Sequence, residues 1–283
     1  MLECVVNVAE GRDAAVLSRL ATACADTLLD LHADPDHHRS VFTLAGPGPR
    51  DAAWAAAGLT RAAAAELDLS GHEGVHPRFG ILDVVPFVAL GEPSGVAVDA
   101  AREFAARIAA ELGIPAFFYG AADPEDRDLP SLRRDAFTHR APDVGPPQPH
   151  PRWGATAVGA RPPLVAVNCW LDRDDLALAR SVAATVRERD GGLRGVRALG
   201  FRLRSTGQVQ VSMNVTDLSA TSVEAACDAV AAGAETAGAA VARVEWVGLV
   251  PGEAVECCSP AFRARTGLDR SRSIESRLAV RSA

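Results

Sequence analysis

The densest run of chemically capable side chains is Gly71-His72-Glu73-Gly74-Val75-His76-Pro77-Arg78-Phe79-Gly80, followed at a short interval by Asp83. Taken literally, His72 to His76 spells H-E-x-x-H, the pattern by which two histidines one helical turn apart hold zinc. That chemistry needs a helix. Gly71 and Gly74 weaken one here, and Pro77 drives His76 out of the α region. The spacing therefore does not build a metal site, and no metal is expected. What stays is a pair of imidazoles on a loop stiffened by Pro77, with Arg78 beside them. An imidazole titrates near working pH and suits general acid/base transfer. The plainer reading of the same histidines is that they cap a helix or hold a carboxylate.

Two further polar groupings stand out. Asp34-Pro35-Asp36-His37-His38-Arg39-Ser40 precedes a strand-like run, and loops at strand ends are where α/β proteins place chemistry. Arg39 offers a fork that grips a carboxylate bidentately; a solvated turn with internal ion pairs is the alternative. Farther on, Asp143-Val144-Gly145-Pro146 and Pro151-Arg152-Trp153-Gly154 offer an aromatic plane, a guanidinium and backbone amides. Such a loop either clamps a flat anionic ligand or pins itself to the core through Trp153. Gly191-Gly192 reads as ordinary helix capping rather than a phosphate cradle.

These loops must hang on regular elements. In the second half, 164–171 is a β-rich run, 174–189 has helical spacing with Asp at its start, and 195–203 and 208–215 are strands split by a turn. A helix at 222–238 and a strand at 241–250 complete β-α-β-β-α-β, the ferredoxin-like order. The first half reads as the same order with additions: strand 2–8, helix 14–29, a strand near 29–33, strand 40–46, helix 51–67 and strand 81–90. An extra helix at 98–112 and an extra strand at 114–120 follow. The expectation is an α/β (α+β) protein of two ferredoxin-like subdomains with mixed sheets. Residues 1–161 form the first and 162–255 the second. The stretch 141–163 holds seven prolines and no period, so it reads as extended linker or loop. Residues 256–283 carry six arginines and no repeated apolar face, which reads as a surface helix or mobile tail.

Composition narrows the chemistry. The chain has 283 residues, 48% hydrophobic and 23% charged, which is ordinary globular usage. A balance of 29 basic against 36 acidic residues, net −7, argues against a nucleic-acid or membrane-surface binder. Every basic residue is Arg, and the sequence contains no Lys. That removes Schiff-base aldolases, pyridoxal-phosphate enzymes, P-loop ATPases and protein kinases. The six cysteines form no CxxC pair and read as buried, reduced thiols. The opening residues lack a basic n-region, and no apolar run reaches membrane-spanning length. A cytoplasmic protein is expected.

The motifs taken together resemble the formimidoyltransferase family over nearly the whole chain, from Glu3 to about Pro251. The family's ECVPNFSEG opening is met by Glu3-Cys4-Val5-Val6-Asn7-Val8-Ala9-Glu10-Gly11, and its DHNRSV pattern by Asp36-His37-His38-Arg39-Ser40-Val41. Its HxGEHPRxGxxDVxPF signature is met by His72 through Phe87. DFGP and WGAxxxGAR fall on Asp143–Pro146 and Trp153–Arg161; Gln210–Asn214 and Val247–Pro251 add two more matches. The resemblance implies a folate groove between the subdomains, usually in a homodimer, and no need for a metal. It implies transfer of a formimino group from N-formimidoylglutamate to N5 of tetrahydrofolate, with His76 as the acid/base catalyst. It also implies substrate contacts from Arg39, Arg78, His38, Asn168 and Asn214. Gly145, Pro146, Arg152, Trp153 and Gly154 are implied at the folate.

Three positions depart from the family pattern. Val75 stands for Glu, His38 for Asn, and Trp170 for the second amide of an N-x-N strand motif. Loss of polar partners costs about 1–3 kcal/mol per group, so tetrahydrofolate binding is expected to survive while N-formimidoylglutamate becomes a poor or secondary donor. The alternatives are a folate-binding regulatory relative without catalysis and a metal-dependent hydrolase using His72, Glu73 and His76. Retention of His76, Arg78 and Arg39 favours the transferase.

Overall fold

The computed structural model describes residues 1–48, 50–70, 72 and 78–281. The chain divides into two compact units, Met1–Pro162 and Pro163–Ala283. The first unit runs β1 (Leu2–Val8), α1 (Ala14–Ala23), β2 (Leu28–Asp34), β3 (Arg39–Gly46), α2 (Asp51–Glu66), β4 (Leu82–Ala89), α3 (Ser94–Leu112), β5 (Ala116–Gly120), α4 (Leu129–Asp135) and β6 (Thr156–Ala160). The second runs β7 (Val165–Leu171), α5 (Leu176–Val186), β8 (Val196–Arg202), β9 (Val209–Val215), α6 (Val223–Thr236), β10 (Val241–Val247), α7 (Gly252–Glu256), α8 (Pro260–Thr266) and α9 (Ile274–Arg281).

In the first unit the strand order is β2-β3-β1-β4-β6-β5. The first four strands are antiparallel neighbours, the ferredoxin-like arrangement, and β6 and β5 extend the sheet in parallel with β4. Alternation in β1 sends Leu2, Cys4, Val6 and Val8 into a core shared with α1, α2 and α3. A second cluster, with Val84, Phe117, Tyr119 and Ala157, lies under Leu132 of α4. Asp13 starts α1 by accepting the Ala15 and Val16 N–H groups at 2.9 and 3.1 Å. The helix ends at Ala23, earlier than the apolar spacing predicts. Leu28 and Leu29 continue the helical period in sequence but belong to β2, where Leu28 pairs with Leu44.

Within the Pro-rich stretch, Thr156–Ala160 is a strand of the sheet. β6 sits between β4 and β5, buried along all of its length. A central parallel strand is covered on both faces and shows no alternation to read. Gly159 is required there, since a Cβ would stand 2.4 Å from the Tyr119 ring.

In the second unit the order β10-β7-β9-β8 is antiparallel throughout, so only the first sheet is mixed. Of the two readings for the segment beyond residue 255, residues 256–281 take the helical one, in short packed pieces. Cys258, Phe262 and Leu268 join the core of this unit, and Ile274 is buried as well. Trp246 packs edge-on to Phe262 with ring centroids 6.2 Å apart, and its Nε1 donates to the Thr266 carbonyl at 3.0 Å. The sequence hides this because short helices contribute one or two anchors each, at spacings that make no helical stripe. Among the cysteines Cys257 is exposed and the other five are buried; all six are free thiols.

Candidate active site

The sheet of the first unit brings the chosen loops to one end. β1 runs antiparallel to β3 and β4, and β5 and β6 run parallel to β4. The end of β1, the β2–β3 turn and the starts of β4, β5 and β6 therefore share one end. Ala9, His37, His38, Arg39, Arg78 and Asp83 line a small pocket there.

The β2–β3 turn is built by Asp34. One carboxylate oxygen accepts the Asp36 and His37 N–H groups at 2.8 and 2.9 Å, and the other lies 2.5 Å from His37 Nδ1. Burial alone would raise the Asp34 carboxyl; the His37 ring and the backbone donors outweigh it and hold it below its usual value. His38 follows with φ at 48°, a left-handed conformation that aims its ring back at the loop after β1. There its Nδ1 accepts the Gly11 N–H at 3.2 Å and lies 3.6 Å from Glu10 Oε1. Burial depresses the His38 pKa, Glu10 opposes the shift, and the Arg12 and Arg78 charges reinforce it. The neutral ring is favoured.

His38 stacks on His72, centroids 4.0 Å apart. His72 Nε2 lies 2.9 Å from the Ala9 carbonyl and 3.1 Å from Arg78 NH1. Only one of these can be a hydrogen bond at a time: a protonated Nε2 donates to Ala9, and a bare Nε2 accepts from Arg78. The ring's tautomer is thus tied to the Arg78 guanidinium. His72 Nδ1 is buried without a partner among the described residues.

Asp83, 1% exposed, organises the other wall. It accepts the Phe79 N–H at 2.8 Å and Arg133 NH2 at 2.6 Å, and Arg39 NH1 stands 3.8 Å away. Arg133 also lies over the Phe79 ring, 5.0 Å from its centroid. Burial lowers the Arg39 pKa while Asp83 pulls it up; a guanidinium stays charged under these influences.

Arg39, Arg78 and His38 are therefore brought together in one pocket. His76, with Glu73, Gly74, Val75 and Pro77, lies outside the described residues. The loop of Arg152, Trp153 and Gly154 does not offer free backbone amides. The Arg152 and Trp153 N–H groups donate to His150 Nδ1 at 3.2 and 3.1 Å, Gly154 N–H to the His150 carbonyl at 2.8 Å, and Ala155 N–H to Phe79 at 3.1 Å. Arg152 Nε donates to Asp68 at 2.9 Å, and His150 stacks flat on Trp153 at 4.1 Å. Gly154 needs its φ of 70° and its lack of a side chain, because a Cβ would meet the Phe79 carbonyl at 2.2 Å. This loop is locked to the start of β4; only Trp153 Nε1 is left buried without a partner. Gly145 and Pro146 are exposed, next to the start of β5.

Asn168 and Asn214 belong to the second unit, on the strand face away from its helices. Asn168 Nδ2 and Trp170 Nε1 both donate to Glu245 Oε2, at 3.0 and 2.9 Å, and Arg243 lies 3.6 Å from the Trp170 ring centroid. The Trp170 indole thus takes a polar role beside Asn168, so this departure from the N-x-N pattern does not remove a polar partner. Asn214 is exposed. The sequence reading missed Arg133, which sits in a short helix carrying no motif. It also missed Glu10, although the opening Glu-Gly pair marked the position, and Glu245, which nothing local marks.

Comparison with known proteins finds matches to both halves of the chain. The formiminotransferase domain, N-terminal subdomain, matches residues 1–161, and the formiminotransferase domain matches residues 166–277. Glutamate formimidoyltransferase of Thermoplasma acidophilum is 34% identical over 296 residues, covering 98% of this chain and 97% of the relative. The glutamate formimidoyltransferase of Streptococcus pyogenes serotype M1 is 36% identical over 271 residues, 90% of each chain. The formimidoyltransferase-cyclodeaminase of Sus scrofa is 34% identical over 273 residues, 89% of this chain but 50% of the relative. With both halves matched in order and near full-length relatives above 30% identity, the chain belongs to the formiminotransferase family of group-transferring enzymes.

Proposed function

We propose that this enzyme transfers a formimidoyl group from an N-formimidoyl amino acid, N-formimidoylglutamate being the reference donor, to N5 of tetrahydrofolate. The observation that supports it best is the pocket holding Arg39, Arg78 and His38 at one end of the first sheet, with His72 stacked on His38. A glutamate-derived donor carries two carboxylates, and guanidiniums are the side chains that grip carboxylates in a fixed plane. The acceptor supplies an amine nucleophile. His76, two residues before Arg78 in the sequence, takes the proton from that nitrogen as its bond to the formimidoyl carbon forms. It returns the proton to the donor nitrogen as the old carbon–nitrogen bond breaks, so no net charge accumulates. The neutral His38 ring and the Ala9–His72–Arg78 contacts hold the surrounding wall in place. No lysine and no metal enters this scheme.

The test is His76→Ala. A proton-shuttling imidazole contributes about 10²–10⁴-fold to rate, so turnover should fall by that factor with the melting temperature unchanged. Retention of more than about a tenth of turnover would remove His76 from the mechanism.

A further inference from the structure

Gln210 lies on β9, in register with Trp170 on β7 and Phe201 on β8. Its strand neighbours Val209, Val211 and Met213 point into the helical core. The period of two therefore turns Gln210 to the opposite face, the one that carries Asn168, Trp170 and Glu245. It is nonetheless fully buried, at 0% exposure, and neither Oε1 nor Nε2 has a hydrogen-bond partner among the described residues. The neighbouring polar groups do not relieve it: Asn168 Nδ2 and Trp170 Nε1 converge on Glu245 Oε2 instead. Buried carboxamides in folded proteins are hydrogen-bonded, and one with both atoms orphaned destabilises the fold that carries it.

We propose that Gln210 is a substrate-recognition residue. Its carboxamide presents one donor and one acceptor side by side, the complement of a planar N–C=O or N–C=N edge. Trp170, braced by Arg243 at 3.6 Å, forms the adjoining wall. The inference rests on the formimidoyl-transfer reading, because both substrates carry such an edge: the lactam of the pterin ring and, in its neutral form, the amidine of the formimidoyl donor. Binding either one gives the orphaned atoms the partners they lack.

The test uses Gln210→Met, which keeps the length of the side chain and removes its polar atoms. Tetrahydrofolate and N-formimidoylglutamate are titrated separately against the intact protein, by tryptophan fluorescence and by calorimetry. Affinity for one ligand should fall at least about tenfold, as expected for losing hydrogen bonds to a buried group, while the melting temperature does not fall. The ligand affected identifies which edge is read. Unchanged affinity for both ligands overturns the proposal while leaving formimidoyl transfer standing; a wild-type protein that binds neither overturns both. Should the variant not fold, glutamine-selective ¹⁵N labelling of the wild type decides. The chain has three glutamines, of which Gln148 and Gln208 are exposed. Ligand should shift the buried side-chain amide pair and leave the other two; an unmoved buried pair refutes the assignment.

Discussion

Asp83→Asn is the most informative single change in the first unit. The carboxylate is 1% exposed and accepts from both sides, the Phe79 N–H at one oxygen and Arg133 at the other, with Arg39 3.8 Å away. An amide of the same shape has one acceptor. Turned toward Phe79 it presents an NH₂ group to two guanidiniums; turned toward Arg133 it leaves the Phe79 N–H facing a donor. Removing one partner of a buried ion pair costs about 3–5 kcal/mol. Arg133 and Arg39 keep side-chain exposures of 19% and 28%, which water partly screens, so the lower end applies. About 3 kcal/mol corresponds to a fall in melting temperature of roughly 6–12 °C for a unit of this size. Arg39 also loses its anchor, so the donor KM should rise more than kcat falls. Calorimetry of the single variants, of Arg133→Met and of the double variant gives the coupling directly. The double should be less destabilised than the sum, because no uncompensated charge is left at Arg133. A single variant within about 0.5 kcal/mol of wild type, with unchanged donor KM, would refute this account of the wall.

Two further outcomes are expected. Phe262→Ala should cost about 3–5 kcal/mol in urea unfolding of the second unit, whereas a truly mobile tail would give no change. In acid, Asp123 should govern stability of the first unit. Burial raises its carboxyl, but the Arg127 fork at 2.6 and 2.9 Å, the Glu125 N–H and Arg140 overcome this and hold it at about 2. A folded pKa below the ordinary value of about 3.9 gives stability that is present above that value and lost as pH falls through the folded one. Some 2 kcal/mol should therefore disappear between about pH 4 and pH 2. Acid titration of Asp123→Asn, followed by circular dichroism, should lack that limb; an identical acid limb would show that the Asp123 network does not matter.

Elements whose core-facing residues follow one clean period were legible from sequence. β1 and β9 alternate, and Asp13 and Asp175 announce their helices by capping. β6 was not, because a central parallel strand of Thr, Ala, Val and Gly after a run of prolines carries no period. In the C-terminal segment a surface helix and a mobile tail could not be told apart, because Phe262 and Leu268 anchor separate short pieces. In the site, Arg39, Arg78 and His38 could be chosen because their loops are dense in polar residues and match a family pattern. Arg133 could not, since its role comes from α4 lying across the sheet beside Asp83. The loop at Trp153 was legible in part. Its residue types suit a ligand clamp, but His150 and Phe79 take up its backbone amides.

The most direct test of the central claim is a transfer assay with tetrahydrofolate and N-formimidoylglutamate, following formation of the formimidoyl folate and release of glutamate together. The account predicts saturable, stoichiometric transfer that needs both substrates, persists after exhaustive chelation of metals and is abolished by His76→Ala. Hydrolysis of the donor without tetrahydrofolate, or transfer that chelation stops, would contradict it.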